Sequence, residues 1–291
     1  MLIRNSKILV TGAAGSIGSA LAMRLYKMKP KELILVDQDE TGIFYISGVM
    51  RGAHCLVGDV TNKESIARIF EQYRPEIVFH CAAYKHVPIM ELQKEEAIEN
   101  NVYGTRNIIE LSHEYGARKF VLLSTDKAVN PSSVMGKTKR ICELMCLAQD
   151  SGCDYIIVRF GNVTRSRGSV VETFEKLIKE GKPLEITHPD MSRYFISMQD
   201  AVSILLKASQ GNNRELYVWN MHDPIKITDL AKNLCEKEGK EPNIKFCGLR
   251  PGEKISEELF YPDEKPKKRG KYFVVQLKSE LIDLNNLINE I

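Results

Sequence analysis

Long apolar runs are missing from this 291-residue sequence, and none approaches the roughly 18–20 residues needed to cross a bilayer. The opening residues, Met1-Leu2-Ile3-Arg4-Asn5-Ser6-Lys7, lead into a few apolar positions and then glycines, which is not a secretory leader. Charge of one sign is missing too. Lys and Arg total 41 against 38 acidic residues, a formal charge of +3, so a nucleic-acid or membrane-surface protein is not the default reading. The seven cysteines include no C-x-x-C pair. Cys142 and Cys146 stand four apart on an expected helix without histidines to complete a zinc set, so no metal site is expected. Buried thiols in a reducing cytosol explain them, and a soluble cytoplasmic protein is expected. No internal repeat is visible.

What is present is alternation. Lys7–Thr11, Glu32–Val36, Cys55–Val57, Ile77–His80, Phe120–Ser124 and Tyr155–Phe160 read as strands. Helix-period stretches separate them at Ser16–Met28, Glu40–Met50, Lys63–Tyr73, Ala97–Tyr115 and Val134–Gln149. Strands this apolar, flanked by helices of this length, imply a doubly wound α/β fold: a parallel sheet covered on both faces. The rhythm loosens after about residue 161. The expected division is a dinucleotide-binding platform over 1–161, with 195–220 returning to it, and a smaller lobe over 162–194 and 221–291. The Lys- and Pro-rich stretch 262–271 reads as a solvated loop.

The first strand runs into Thr11-Gly12-Ala13-Ala14-Gly15-Ser16-Ile17-Gly18 and then a helix. Glycines there permit a tight turn and close backbone approach to a pyrophosphate on the helix N-terminus. Asp37, nineteen residues beyond Gly18 at the end of the second strand, can accept hydrogen bonds from the adenosine ribose and repels a 2′-phosphate. NAD is therefore favoured over NADP. Asp59 and Val60, after the third strand, are placed for the adenine, although Asp59 reads equally well as the N-cap of the next helix.

The G-x-x-G-x-x-G spacing resembles the extended short-chain dehydrogenase/reductase superfamily, which places a Tyr-x-x-x-Lys pair after the fifth strand. Tyr115-Gly-Ala-Arg-Lys119 has that spacing but precedes the strand, on the wrong side of the sheet for a ligand. The proper place holds Met135-Gly136-Lys137-Thr138-Lys139. The resemblance implies that Lys139 holds the nicotinamide ribose and that Met135, which carries no proton, replaces the tyrosine.

Further blocks are Ser124-Thr125-Asp126-Lys127-Ala128-Val129-Asn130-Pro131, His80-Cys-Ala-Ala-Tyr-Lys-His-Val-Pro-Ile-Met-Glu91 and Arg159-Phe-Gly-Asn-Val163. Ser166-Arg-Gly-Ser-Val170, Thr187-His-Pro-Asp-Met-Ser-Arg-Tyr-Phe195 and Gly248-Leu-Arg-Pro-Gly-Glu-Lys254 follow. Nearly the whole chain resembles bacterial UDP-N-acetylglucosamine 4,6-dehydratases. Many of these sit behind a membrane-spanning half, and this chain looks like a free-standing soluble form. The resemblance implies NAD as cofactor, with Ala82 beside it, and UDP-N-acetylglucosamine as substrate. Lys127 is then the C5 base and Asp126 the C6 acid. Thr125 hydrogen-bonds the C4 oxygen, whose proton goes to Asp126 or Lys127, directly or through water. Lys85 and Asn162 reach the sugar or diphosphate; Arg193, Arg250 and Glu253 lie on the nucleotide side. Tyr84 and His86 line the sugar pocket, and Asn101 either anchors the local backbone or is an ordinary polar helix position. Thr164-Arg165 replaces the more usual Leu-Gly before Arg167.

Free Asp is ionised and free Lys protonated at pH 7, whereas Asp-H with neutral Lys holds the same number of protons and is favoured by desolvation. Site closure is expected to shift the pair that way. The methionine-bearing branch resembles enzymes that retain the C5 configuration. A UDP-sugar 4-epimerase is the enzymatic alternative, but it wants the missing tyrosine and has no use for Asp126-Lys127. An inactive nucleotide-binding module is the other, favoured only by Met135. A homo-oligomer is expected through helices Ala97–Tyr115 and Val134–Gln149, which commonly pair between subunits in the superfamily.

Overall fold

Apolar residues alternate faces along a strand, so the sheet needs cover on both sides. In the first strand, β1 (Lys7–Thr11), Ile8 and Val10 enter one core and Leu9 the other. The structure, a computed structural model, describes residues 3–150 and 152–291. Met1 and Leu2, the start of the stretch read for a leader, lie outside the described residues. The next strands are β2 (Glu32–Asp37), β3 (His54–Val57), β4 (Ile77–His80), β5 (Lys119–Thr125) and β6 (Asp154–Phe160). With the later strand Glu215–Trp219 they make a parallel sheet ordered β3-β2-β1-β4-β5-β6 and then Glu215–Trp219. This is the expected doubly wound order, with its topological switch between β1 and β4. Helices α1 (Ser16–Met28), α2 (Glu40–Val49) and α3 (Lys63–Tyr73) follow the first three strands.

Two antiparallel strands, Tyr272–Gln276 and Lys267–Arg269, extend the sheet beyond Glu215–Trp219. The sequence reading put both in the smaller lobe, and Lys267–Arg269 falls within its solvated loop. Val274 and Val275 of the former are buried on opposite faces, which is what adds this pair to the edge. The smaller lobe has its own core of Phe174, Ile178, Leu184, Ile186, Ile227 and Leu234. Its helices are Val170–Lys179 and Ile227–Lys237.

The expected single helix Ala97–Tyr115 is three pieces: Lys94–Ala97, a π-helical stretch Ile98–Tyr103, and Gly104–Glu114. The wider turn lets buried Asn101 face the site rather than follow a 3.6-residue stripe. The helix expected over Val134–Gln149 runs Val134–Leu147. Every residue of it is buried or half-buried, and the C-terminal helix Leu284–Asn289 packs on it. Among the described residues no helix is long and apolar enough to cross a membrane.

Candidate active site

The carboxyl ends of β1 and β4 diverge at the switch point, and the glycine loop closes between them. Gly12 adopts φ +66°, and a Cβ there would lie 2.6 Å from Ala82 N. A Cβ on Gly18 would lie 2.0 Å from Gly12 O, so that glycine lets α1 press on the turn. Helix α1 starts at Gly15 with no side-chain cap and no acid in its first turn. Its free N–H groups and positive dipole end therefore face the cleft. Asp37 Oδ2 accepts from Ala14 N at 2.8 Å and Oδ1 from Asp39 N at 3.0 Å, which leaves each oxygen room for another donor.

Two hollows meet at Gly12. One of about 180 Å³ is lined by Asp37, Asp59, Val60, Ala82 and Arg167; the other, about 510 Å³, runs past Ser16, Ile17 and Gly18 to Thr125, Lys127, Met135 and Lys139. A glycine cradle with uncapped amides at one end and a ribose-accepting carboxylate at the other fits a dinucleotide. The N-cap reading of Asp59 is overturned. Asn62 caps α3 by accepting from Ser65 N at 3.0 Å, and Asp59 instead holds its own turn through Thr61 N.

Behind the site, polar anchors fix the strand ends. His80, fully buried, bridges Thr11 Oγ1 (2.7 Å) and Thr105 Oγ1 (2.9 Å), and burial followed by nearby Lys139 lowers it to about 3. Ser124 donates to Glu143 Oε1 at 2.6 Å, and Glu143 takes Arg159 Nε and Nη2 at 2.7 and 2.6 Å. These bonds set the direction in which β5 delivers the next three residues.

Thr125 Oγ1 donates to Asp126 Oδ1 at 2.8 Å, and Lys127 Nζ donates to the same oxygen at 3.0 Å and to Asn162 Oδ1 at 3.2 Å. Asp126 Oδ2 is buried without a partner. Lys139 is 5% exposed and makes no hydrogen bond or ion pair with the described residues, so its ammonium is left for a ligand. Met135 packs with Met90, Val134 and Tyr84 on the cleft wall. Tyr115, at the other end of β5, stacks under Arg74 and over Phe70, and Lys119 pairs with Asp154. That Tyr-x-x-x-Lys match is structural.

Asn101 is an anchor: it accepts from Tyr84 N (2.7 Å) and donates to Tyr84 O (3.1 Å) and Thr138 Oγ1 (3.0 Å). Lys85 Nζ donates to Arg167 O at 2.8 Å, and Arg167 in turn reaches Ala14 O, so the 166–168 turn bridges lobe and glycine loop. At the unusual Thr164-Arg165, Thr164 N bonds Ile196 O, and Arg165 takes φ +55°, a left-handed backbone that the more usual glycine adopts at lower cost. His86 lies against Gly168 on the cleft wall.

Arg193, Arg250 and Glu253 meet at a third hollow of about 130 Å³, which Lys127 also lines. Arg250 is exposed, while Arg193 is buried and donates to the carbonyls of Ser192, Lys254 and Ile255. Arg193 is thus committed to pinning the 254–255 backbone. What the sequence reading missed is Glu257. It lies 3.6 Å from Lys127 Nζ and 3.7 Å from Arg193 Nε, with Oε2 buried and unpartnered. Nothing in its Ser-Glu-Glu-Leu context marks it, because it reaches the site only through that pinned segment.

A doubly wound sheet with this loop, a lysine kept and a tyrosine lost after β5, and a second lobe over the strand ends is that of an extended short-chain dehydrogenase/reductase. More narrowly, a family model described as polysaccharide biosynthesis protein matches residues 8–277, and the chain belongs to that family. It is 42% identical over 275 residues to the probable polysaccharide biosynthesis protein EpsC of Bacillus subtilis, covering 90% of this chain and 46% of that protein. The chain thus spans about half the length of that relative. It is 36% identical over 276 residues to a UDP-N-acetylglucosamine 4,6-dehydratase (inverting) of Campylobacter jejuni, covering 90% of this chain and 80% of that one. The solved structure of Pen from Bacillus thuringiensis superposes with a TM-score of 0.88 at 28% identity, covering 100% and 98% of the two chains.

Proposed function

We propose that the chain dehydrates UDP-N-acetylglucosamine to a UDP-2-acetamido-2,6-dideoxy-4-keto-hexose, with NAD as a cofactor regenerated in each turnover. One observation carries the reading: an acid and a base, Asp126 and Lys127, share a contact at the end of β5, where Lys127 and Thr125, both bonded to the buried Asp126 carboxylate, line the cleft that begins at the glycine loop. The name of the Campylobacter relative supports the substrate. In this reading residues 1–161, with 195–220, form the nucleotide platform, and most of the remainder clamps the sugar nucleotide. Gly12, Ala14, Gly15, Ser16, Ile17 and Gly18 cradle the pyrophosphate, Asp37 the adenosine ribose, Asp59, Val60 and Ala82 the adenine side, and Lys139 the second ribose. Held by these residues, NAD would supply the hydride-transfer chemistry between C4 and C6.

The chain's own residues move the protons. A C4 hydroxyl donating to Thr125 Oγ1 passes its proton to Asp126 Oδ1, since Thr125 already donates to that oxygen. Asp126, so protonated, gives the proton to the departing C6 hydroxyl, which leaves as water. With C4 a ketone the C5 hydrogen is acidic, and neutral Lys127 removes it. Lys127 then returns a proton to C5. Met135 carries no proton for the opposite face, so return from Lys127 gives retention. Lys85 and Asn162 hold the sugar or diphosphate, and Arg250 reaches the diphosphate as a fork-shaped donor, with Glu253 alongside.

The test is incubation with UDP-N-acetylglucosamine and NAD in D₂O, read by mass and NMR. Loss of water with deuterium at C5 is the expected outcome, and the C5 coupling reports retention against the inversion named for the relative. A C4 epimer with no loss of water replaces this reading with the epimerase, and unchanged substrate with tight NAD binding leaves a binding module.

A further inference from the structure

The proton scheme above leaves one need unmet: Lys127 must be neutral before it can take the C5 proton. We propose that Glu257 is the group that takes the resting proton of Lys127, so that the base is armed inside the site rather than by loss of a proton to solvent. The proposal rests on the dehydratase reading and deepens it.

Three observations carry it. First, Glu257 Oε1 is 3.6 Å from Lys127 Nζ, just beyond hydrogen-bond range, and among the described residues Lys127 Nζ is tethered to Asp126 and Asn162 at 3.0 and 3.2 Å. A small change in the Lys127 side-chain torsions, moving Nζ by a few tenths of an ångström, completes the contact. Second, the Glu257 side chain is 3% exposed and its Oε2 has no donor among the described residues. An ionised carboxylate in that position lacks the hydrogen bonds its charge needs, and the acid form does not. Third, the nearby guanidinium stands beyond hydrogen-bond distance and on the Oε1 side. Arg193 spends donors on three main-chain carbonyls and stands 3.7 Å from Glu257 through Nε.

The groups around Glu257 divide by sign. Asp126 opposes its ionisation; Lys127, Arg193 and Lys254 favour it, and Arg250 and Glu253 line the same hollow. Burial is the largest influence, and the net direction is above the usual carboxylate range. The proton count then closes. Asp126⁻, Lys127⁺ and Glu257⁻ hold one proton, as do Asp126⁻, neutral Lys127 and Glu257-H. Only the N–H bond of Lys127 breaks and only the O–H bond of Glu257 forms. The second arrangement leaves Asp126 able to receive the C4 proton through Thr125 and Lys127 able to receive the C5 proton. Glu257 does not touch the reacting atoms in this scheme; it acts through Lys127 as a positioning residue for a proton.

The experiment compares wild type with Glu257→Gln and Glu257→Asp, each at full length. Gln keeps the shape but accepts no proton, so Lys127 can become neutral only by losing its proton to water. Dehydration by Glu257→Gln is expected to fall at least tenfold at pH 7 and to recover about tenfold per pH unit toward the wild-type rate in alkali. Wild type is expected to hold a plateau across the same range, and Glu257→Asp to restore part of it. A second readout needs no substrate: acylation of Lys127 by acetic anhydride, followed by peptide mass spectrometry, reports its neutral fraction. Lys127 is expected to label faster in wild type than in Glu257→Gln at pH 7. Equal labelling with matching pH profiles overturns the proposal, as does a Glu257→Gln rate that stays low into alkali. If wild type labels as expected but dehydrates nothing, the dehydratase reading fails and the proton pair stands.

Discussion

Glu143→Gln tests the reasoning about what aims the catalytic strand. Glu143 and Arg159 are both fully buried and meet through two bonds of 2.7 and 2.6 Å, while Glu143 also takes Ser124 at 2.6 Å and Arg140 at 3.1 Å. Removing one partner of a buried pair costs about 3–5 kcal/mol because the other charge is left uncompensated. Arg159 keeps Glu264 at 2.7 Å, so the lower end, about 3 kcal/mol, is expected. At roughly 2–4 °C per kcal/mol for a domain of this size, that is a fall in Tm on the order of 10 °C. Urea unfolding followed at Trp219, the one tryptophan, measures it. In an Arg159→Met background Glu143 has lost its buried guanidinium partner and keeps Arg140 and Ser124, so the cost of the same change should shrink by about 2 kcal/mol. A cost near 3 kcal/mol in both backgrounds refutes the pairing argument. The pH sign follows. Burial raises Glu143, but Arg159 and then Arg140 more than offset it, so its folded value lies below the ordinary one. The stability it contributes is present above the unfolded value of about 4.3 and is lost as pH falls through the folded one.

Gly12→Ala is expected to abolish NAD retention, because its Cβ would sit 2.6 Å from Ala82 N at a φ of +66°; fluorescence titration within threefold of wild type contradicts this. Asp126→Asn should lower dehydration by about 10²–10⁴-fold with NAD affinity unchanged, and a pH–rate profile matching wild type sinks the assignment of Asp126 as acid. His80 is neutral when folded, with its value lowered to about 3 against about 6.5 unfolded. Its stabilising effect is therefore complete above about pH 6.5 and declines below it. His80→Gln should flatten the acid limb of the wild-type stability curve between pH 6 and 4, and an unchanged limb counts against the reading.

Elements set by local pattern were legible in the sequence. β1, α1 and α3 start and stop where apolar period and flanking residues place them, and the glycine loop lies where strand meets helix. Elements set by distant contacts were not. The π-helical turn at Ile98–Tyr103 exists because Asn101 bonds the backbone of Tyr84 and the hydroxyl of Thr138, and no periodicity of its own sequence encodes that. The strand Tyr272–Gln276 has an apolar run like any other, but its place beside Glu215–Trp219 is a tertiary choice. Met135 could be read as a loss of tyrosine, yet whether the site remained polar depended on what the second lobe delivers.

What it delivers is the contrast between Arg193 and Glu257. Sequence reasoning weights arginine as a phosphate donor by residue type, and Arg193 in the structure instead holds three carbonyls of its own lobe. That commitment fixes the backbone at 254–255 and so brings Glu257 to the lysine at the end of β5. An arginine that pins its own lobe and a glutamate without a motif thus form one device, in which the first sets the position of the second. The pair also explains how a site can lose its tyrosine and keep three proton-carrying groups. Two come from the platform, at Asp126 and Lys127, and the third arrives from the second lobe. A substitution that unpins the 254–255 backbone, such as Arg193→Met, should therefore leave NAD binding intact while slowing exchange at C5.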